Sequence, residues 1–222
     1  MAQWGRGFWM VIDVVEENIN MNYEIILASN SPRRRELLAG LDIDFEVKVL
    51  EGIDESYPPH TPVSEIAVCI AEKKAKAYLN LLTDSQLVIT ADTIVVLGEE
   101  VLGKPVDRTD ACRMLRLLSG KTHQVITGVC LTTTKEHRRL SVVSDVTFKS
   151  LTEEEISYYV DHYRPYDKAG AYGIQEWIGY IGVTRLSGSY FNVMGFPVQR
   201  VYQELVRMCG MDALIRDDKV RP

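Results

Sequence analysis

The segment LVITADTIVVLGEEVLGKP, from Leu87 to Pro105, combines two strand patterns with a turn pattern. Two runs rich in β-branched residues, 87–92 and 93–98, predict strands, and the LGEEVLG stretch that follows predicts a hairpin turn. The hairpin places 93–98 antiparallel to the residues after it. We therefore expect Lys104, just past the hairpin, near the same end of the sheet as Asp92.

Asp92 stands in the middle of this apolar segment. A buried carboxylate without a partner is very unfavourable, so Asp92 requires a cation, a metal ion or several hydrogen-bond donors. The alternative is a carboxylate that caps a turn between two strands. Both interpretations stay open from this segment alone.

The rest of the chain alternates strand and helix patterns around this hairpin. Further strands are predicted at 23–29, 45–50, 122–134, 139–150 and 180–189. Helices are predicted from Ser31 (N-cap) to Gly40, from Thr61–Pro62 to about Leu82, from Thr109 or Asp110 to Gly120, from a Thr152–Glu155 capping box, and from Pro197. The fold class is therefore α/β: a mixed twisted sheet with flanking helices, in two lobes around a central cleft.

The helix that starts at Ser31 carries an unusual cluster of positive charge. Arg33, Arg34 and Arg35 lie in its first turn, where the helix dipole disfavours cations. The free backbone N–H groups of this turn form an anion site, and arginine binds phosphate with two parallel hydrogen bonds. A phosphate site explains the cluster. A solvated basic helix face that pairs with neighbouring acids explains it equally well from this segment alone.

Two other segments carry candidate ligand-binding groups. AEKKAKAY places three lysines, of which Lys74 is one, on a single helix, and at most one or two of them can face inward. DKAGAYGIQ, residues 167–175, combines Asp167 and Lys168 with glycines that let backbone approach a ligand closely, although ordinary loops have the same composition.

Composition excludes several classes of function. The 222 residues carry a formal net charge of -6, which disfavours a non-specific nucleic-acid binder. The four cysteines are scattered, with neither disulfide nor zinc spacing, and predict a reducing, cytoplasmic setting. The apolar run Phe8–Val15 contains Asp13 and is too short for a membrane anchor, and no later run approaches the length of a membrane span.

Two familiar catalytic patterns are also rejected. Gly120-Lys121-Thr122 matches the end of a P-loop, but Leu115 stands where that motif needs glycine, and the segment follows a helix instead of a strand. The four histidines form no triad-like or metal-spaced cluster, and no G-x-S-x-G motif is present.

Taken in order, several segments resemble the conserved blocks of the Maf family of nucleotide pyrophosphatases. They are LASNSPRRRELL, GIDE, AEKKAKAY, ADTIVVLGEEVLGKP, MLRLLSGKTHQVITGV, SDVTFKSLTEEEISYYV, DKAGAYGIQ and GSYFNVMGFP. The resemblance implies a two-lobed α/β fold like that of the inosine triphosphate pyrophosphatases. It implies that residues 22–210 form one Maf-like catalytic domain, with 1–21 as an extension outside the fold and 211–222 as a tail.

The resemblance also implies roles for individual residues. Ser29, Arg33 and Arg34 correspond to phosphate ligands, as do Lys74 and Lys104. Asp92 corresponds to the proton acceptor, and Glu55 to an acidic helper. Either carboxylate, Asp92 or Glu55, is a candidate ligand for the divalent cation, Mg²⁺ or Mn²⁺, that the family uses. Which of the two acts as base and which binds metal is left open.

Three positions imply the branch of the family that acts on dTTP and UTP. This branch has Arg33 after Ser-Pro, Thr93 after the catalytic aspartate and Gln175 at the end of the Gly-Ala-Tyr-Gly block. The amide of Gln175 both donates and accepts hydrogen bonds, as a pyrimidine edge requires. Modified pyrimidine nucleotides are further candidate substrates.

The implied activity is housecleaning of the nucleotide pool, by hydrolysis of the triphosphate to monophosphate and pyrophosphate. The implied partner is the nucleoside triphosphate, with neither nucleic acid nor membrane, and a homodimer is a family expectation. An alternative function is a regulatory binding protein that inhibits septum formation and cell division independently of catalysis.

Overall fold

Seven strands form one mixed sheet in the computed structural model of the protein, which describes residues 23–210 and Leu214. The strands are β1 Glu24–Leu27, β2 Phe45–Val47, β3 Gln86–Leu97, β4 Glu100–Leu102, β5 Thr122–Thr132, β6 His137–Phe148 and β7 Val183–Ser187. Their order is β2-β1-β3-β5-β6-β7, with β4 paired to the outer part of β3. The extension 1–21 and all of the tail except Leu214 lie outside the described residues.

Helices flank the sheet and confirm the predicted fold class. They are α1 Pro32–Ala39, α2 Val63–Tyr78, α3 Arg108–Leu118, α4 Glu153–Tyr163, α5 Trp177–Gly182, α6 Tyr190–Val193 and α7 Val198–Cys209. Short 3-10 turns follow α2 and precede α5. The strands β1, β2 and β3 are mutually parallel, and every other pairing is antiparallel, so the sheet is mixed.

One face of the sheet is covered by α2. Ala67, Ala71 and Ala75 recur every four residues along this helix and are fully buried, so a stripe of small side chains lies against the strands. Gly128 of β5 continues the close approach, because a Cβ added there would lie 2.2 Å from the backbone nitrogen of Val68. The sheet and α2 therefore come almost into backbone contact at this point.

The opposite face carries two separate hydrophobic cores. At one end of the long strands, Leu87 and Ile89 pack with residues of α1 and α7. At the other end, Val95 and Val125 pack with residues of α3, α4 and α5. These two cores correspond to the two predicted lobes, and the middle of β3 and β5 lies between them.

The edge of β3 changes partner along its length. Residues 86–89 pair with β1, and residues 95–97 pair with β4 on the same edge. Among the described residues, no strand pairs with 90–94 on that edge, and Asp92 lies at its centre. The hairpin prediction is confirmed, and the β4 side brings Lys104 towards Asp92.

Several local predictions differ from the structure. The runs 87–92 and 93–98 are one continuous strand, so the reading of Asp92 as the cap of a turn is wrong. Helix α3 starts at Arg108 with Asp107 as N-cap, because the Asp107 side chain already binds the free backbone N–H of Asp110.

Other differences concern the lengths of elements. The strand predicted at 45–50 extends only over Phe45–Val47, and the strand predicted at 180–189 begins after α5, at Val183. The Ser31 cap and the Thr152–Glu155 capping box are confirmed. Among the described residues, no helix is both long and apolar enough to cross a bilayer.

The contact between Gly128 and α2 gives a stability prediction. We expect Gly128→Ala to lower the free energy of unfolding by about 3 kcal/mol, because the added methyl group must displace backbone and not a side-chain end. The measurement is the urea midpoint by circular dichroism. Gly103→Ala is the control, since its Cβ would meet nothing within 4 Å. Equal midpoints for the two variants would contradict this packing.

Candidate active site

A cleft opens between the two cores, over the unpaired stretch of the β3 edge. It has a smaller part of about 130 Å³ beside Gln175 and a larger part of about 470 Å³ beside residues 49–55. The two parts adjoin each other, because they share six lining residues: Ser31, Arg33, Arg34, Lys74, Lys104 and Asp167. Their size fits a small-molecule site.

The N-terminus of α1 forms one wall of the cleft. The Ser31 side chain accepts a hydrogen bond from the backbone N–H of Arg34, at 3.4 Å, and Pro32 occupies the first turn, where its missing N–H is not needed. Ser29 is buried, and its hydroxyl accepts from the backbone N–H of Ser31 at 3.2 Å. The turn into α1 is thus held by its own serines.

The three arginines of α1 have three different environments. Arg35 is exposed. Arg34 donates from Nε to the Gly195 carbonyl at 2.9 Å, from Nη1 to the Ala91 carbonyl at 2.8 Å and from Nη2 to the Thr93 hydroxyl at 3.1 Å. Burial lowers the pKa of Arg34, which the charge of Asp92 opposes, and an arginine stays charged under such conditions.

Arg34 also supplies a hydrogen-bond donor to the edge of β3 that has no strand partner among the described residues. Its bond to the Ala91 carbonyl satisfies a backbone acceptor within the stretch that neither β1 nor β4 reaches. Its bond to Gly195 fastens α1 to the segment before α7. The guanidinium therefore holds α1, β3 and this segment together.

Arg33 crosses the cleft instead. Its Nη1 lies 3.0 Å from Oδ2 of Asp167, which precedes the 3-10 turn of the opposite lobe. The two residues are 134 positions apart in the sequence, and both line the two parts of the cleft. This ion pair spans the cleft from wall to wall.

Asp92 faces α2, on the same side of the sheet as its strand partner Gly128. The Lys74 ammonium lies 2.8 Å from Oδ1 of Asp92 and 3.0 Å from Oε1 of Glu55. The Asp92 and Lys74 side chains are 15% and 14% exposed, so the pair is largely shielded from water. Two carboxylates from different parts of the chain therefore converge on one cation, and the required partner of Asp92 is a lysine.

Cations dominate the lining of the cleft. The cationic side chains that line its smaller part are Arg33, Arg34, Lys74, Lys104 and Lys168. Lys104 is exposed to the cleft, whereas Lys168 is almost fully buried. This arrangement favours an anionic ligand with several charges.

The far end of the smaller part of the cleft has mostly apolar walls instead of cationic ones. Its walls include Val95, Val125 and Tyr172, together with Gln175. The side-chain oxygen of Gln175 is buried and has no hydrogen-bond partner within the described residues. A buried acceptor without a donor costs about 1–3 kcal/mol, and a ligand that donates a hydrogen bond removes that penalty.

The structure brings all the sequence-predicted site residues together in this cleft. They are Ser29, Arg33, Arg34, Glu55, Lys74, Asp92, Thr93, Lys104 and Gln175. Sequence reasoning noted Asp167 and Lys168 only as part of a Gly-rich loop, and it missed the backbone acceptor Gly195. The sequence signal for Asp167 and Lys168 was their charge, directly before the glycines of this loop.

The Maf-like protein family profile matches residues 24–208. The chain belongs to this family. Its similarity to individual members is high. A "dTTP/UTP pyrophosphatase" of Phocaeicola vulgatus is 60% identical over 192 residues, which cover 86% of this chain and 99% of that protein. The proteins of the same printed name from Parabacteroides distasonis and Flavobacterium johnsoniae are 58% and 47% identical over 85% and 84% of this chain, and over 97% and 95% of their own lengths.

A looser likeness exists to a solved structure of a HAM1 protein from Coxiella burnetii. The two chains share 15% identity with a TM-score of 0.46, over 83% of this chain and 99% of that one. This level of likeness is too low to support any statement about the cleft.

The contacts of Arg34 predict a stability difference between neighbouring arginines. We expect Arg34→Met to lower the free energy of unfolding by about 3 kcal/mol, because it leaves buried acceptors unpaired. The matched control, Arg35→Met on the exposed face, should change it by less than about 0.5 kcal/mol. Urea unfolding of the ligand-free proteins measures both. Equal stability of the two variants would show that Arg34 does not hold α1 against β3 and the segment before α7.

Proposed function

We propose that this member of the Maf family hydrolyses dTTP and UTP to the monophosphate and pyrophosphate, and so removes nucleotides from the cellular pool. The printed names of relatives 47–60% identical, aligned over nearly their whole length, support this substrate class. Pyrimidine nucleotides with modified bases are further candidate substrates.

The observation that carries the proposal is the unequal chemistry of the two ends of the cleft. One end is lined by cations and the N-terminus of α1, and the other holds the buried, unpaired amide oxygen of Gln175. Uracil and thymine both carry an N–H on the ring edge that can donate to such an oxygen. A pyrimidine nucleotide fits this polarity, with its base at Gln175 and its phosphates towards α1.

The phosphates would be neutralised by side chains from several elements. A triphosphate brings about four negative charges, which the site must hold in line for attack. Lys104 and Arg33 face the cleft directly, and Lys74 lies deeper. Arg34 mainly fixes the α1 N-terminus, whose backbone N–H groups point at the anion. Arg33, Thr93 and Gln175 would discriminate between bases.

Asp92 would accept the proton of the attacking water. Its side chain lines the smaller part of the cleft, and Lys74, which lines both parts, balances its charge in a shielded position. Hydrolysis breaks the bond between the α-phosphorus and the bridging oxygen to the β-phosphate. The water oxygen joins the α-phosphate, and pyrophosphate leaves.

A divalent cation, Mg²⁺ or Mn²⁺, fits the donor set of this cleft. Among the described residues, no three His, Cys, Asp or Glu side chains are grouped as a metal site. However, Asp92 and Glu55 converge on one ammonium, and Mg²⁺ commonly uses only one or two carboxylates together with substrate oxygens. Asp92 and Glu55 would therefore hold the ion. When bound, it supplies neutralisation of phosphate charge and polarisation of the water.

The test is a panel of nucleoside triphosphates with pyrophosphate release as the readout, with and without Mg²⁺. We expect dTTP and UTP to be the best substrates and chelation to abolish release. Asp92→Asn should lower kcat by about 100-fold or more, since it removes the general base, while dTTP still binds.

Asp161→Asn is the control for this experiment, because Asp161 is a carboxylate paired with Arg108 outside the cleft. Its kcat should equal that of the wild type. If Asp92→Asn keeps near wild-type kcat, Asp92 is not the base. Asp92→Asn also tests the regulatory alternative, which predicts that this catalytically inactive protein still arrests division when it is overproduced.

A further inference from the structure

A chain of polar contacts runs from the cleft into the second core. It begins with Arg33 Nη1 and Asp167 Oδ2, 3.0 Å apart. The other oxygen of Asp167 lies 2.8 Å from the Lys168 ammonium, and that ammonium lies 3.0 Å from Oε1 of Glu176. The Tyr159 hydroxyl donates to the remaining oxygen of Glu176. Each carboxylate thus bridges two partners.

The inner end of this chain is rigidly held. Lys168 and Glu176 side chains are 9% and 20% exposed, and Tyr159 is fully buried. The backbone N–H of Gly173 donates to the Tyr159 oxygen at 3.0 Å. A Cβ at Gly173 would lie 2.9 Å from Cδ of Glu176 and 3.1 Å from Cε of Lys168, so the pair packs directly on this glycine.

The outer end is less buried than the inner one. The Asp167 side chain is 57% exposed, and the Arg33 side chain is 23% exposed. Burial would raise the pKa of Asp167, but the hydrogen bonds from Lys168 and Arg33 outweigh burial and hold its pKa below the usual value. Asp167 is therefore ionised at neutral pH and keeps both cations in place.

Glu176 itself does not reach the ligand-binding space. Of the neighbouring residues, Asp167, Lys168 and Gln175 line the smaller part of the cleft, whereas Glu176 lines neither part. Any effect of Glu176 on a ligand must therefore pass through the residues that it holds.

We propose that Glu176 is a positioning residue for the nucleotide site, because it fixes Lys168 and, through Asp167, sets the position of Arg33 on the opposite wall. This inference rests on the proposed function, in which Arg33 contacts the nucleotide. Through this chain of contacts, the second lobe controls the position of the Arg33 guanidinium, which belongs to the first lobe. Loss of the Glu176 charge leaves Lys168 free to draw Asp167 away from Arg33.

The test is a double-mutant cycle between Glu176→Gln and Arg33→Lys, with steady-state kinetics on dTTP. Glutamine keeps the shape of Glu176 and a partner for Tyr159 but removes the charge opposite Lys168. We expect Glu176→Gln to raise KM about tenfold with kcat changed less than twofold. In the Arg33→Lys background, Glu176→Gln should change KM less than twofold, because the guanidinium that Asp167 holds is gone.

Two further variants make the result specific. Glu153→Gln is the matched control, since it removes a glutamate charge paired with Arg116 outside the cleft, and its KM should equal that of the wild type. Asp167→Asn breaks the chain at its exposed end and should reproduce the KM effect if Glu176→Gln does not fold. Equal KM effects of Glu176→Gln in both backgrounds would overturn the inference, as would an unchanged KM in both Glu176→Gln and Asp167→Asn.

Equilibrium binding separates this inference from the proposed function. The affinity of the four proteins for α,β-methylene-dTTP, a substrate analogue with a non-hydrolysable α–β linkage, gives the same cycle without turnover. A wild type that binds the analogue but releases no pyrophosphate from dTTP contradicts the proposed hydrolysis, and the cycle still tests the positioning role. A wild type that does not bind the analogue overturns both.

Discussion

The whole site depends on one interruption in the hydrogen bonding of β3. This strand pairs with β1 over residues 86–89 and with β4 over 95–97, on the same edge. The edge between them has no strand partner among the described residues, although the strand is otherwise buried. Backbone acceptors in such a place need partners, and Arg34 supplies one at the Ala91 carbonyl. Polar side chains therefore collect where the sheet is open.

A carboxylate can stand in the middle of this apolar strand because a cation from the covering helix pairs with it. Asp92 points towards α2, and α2 delivers the Lys74 ammonium to it at 2.8 Å. A shielded ion pair does not by itself stabilise a fold, because desolvation offsets much of the attraction. Its persistence here is understandable if an incoming polyphosphate and cation exchange partners with it. The cleft is then a set of charges that are paired with one another until a ligand replaces some of the pairs.

The elements that sequence predicted well are those with local signals. The hairpin after β3, the Ser31 cap and the Thr152–Glu155 capping box each depend on residues only a few positions apart. The sequence predicted two strands, because the charge of Asp92 interrupts the apolar pattern. The strand is continuous because Lys74 of α2 pairs with that charge. The start of α3 was misplaced because several neighbouring polar residues can serve as caps.

The contacts that sequence could not predict are the long-range ones. Arg33 and Asp167 are 134 residues apart, and Arg34 reaches Gly195 across 161 residues. Which arginine crosses the cleft and which joins α1 to β3 depends on how α1 packs against β3, and no local sequence pattern predicts that packing. The family resemblance implied phosphate contact for both Arg33 and Arg34, and a part in base choice for Arg33. It did not predict that Arg33 pairs with Asp167 while Arg34 bonds to β3 and Gly195.

In the proposed complex, the base lies at Gln175 and the phosphates lie at α1, with Asp92 in the smaller part of the same cleft. A crystal structure with α,β-methylene-dTTP and Mg²⁺ tests this most directly. We expect the thymine ring edge within hydrogen-bond distance of the Gln175 amide, and the phosphates between the α1 N-terminus and Lys104. A nucleotide bound in the reverse direction, with its phosphates at Gln175, would contradict it.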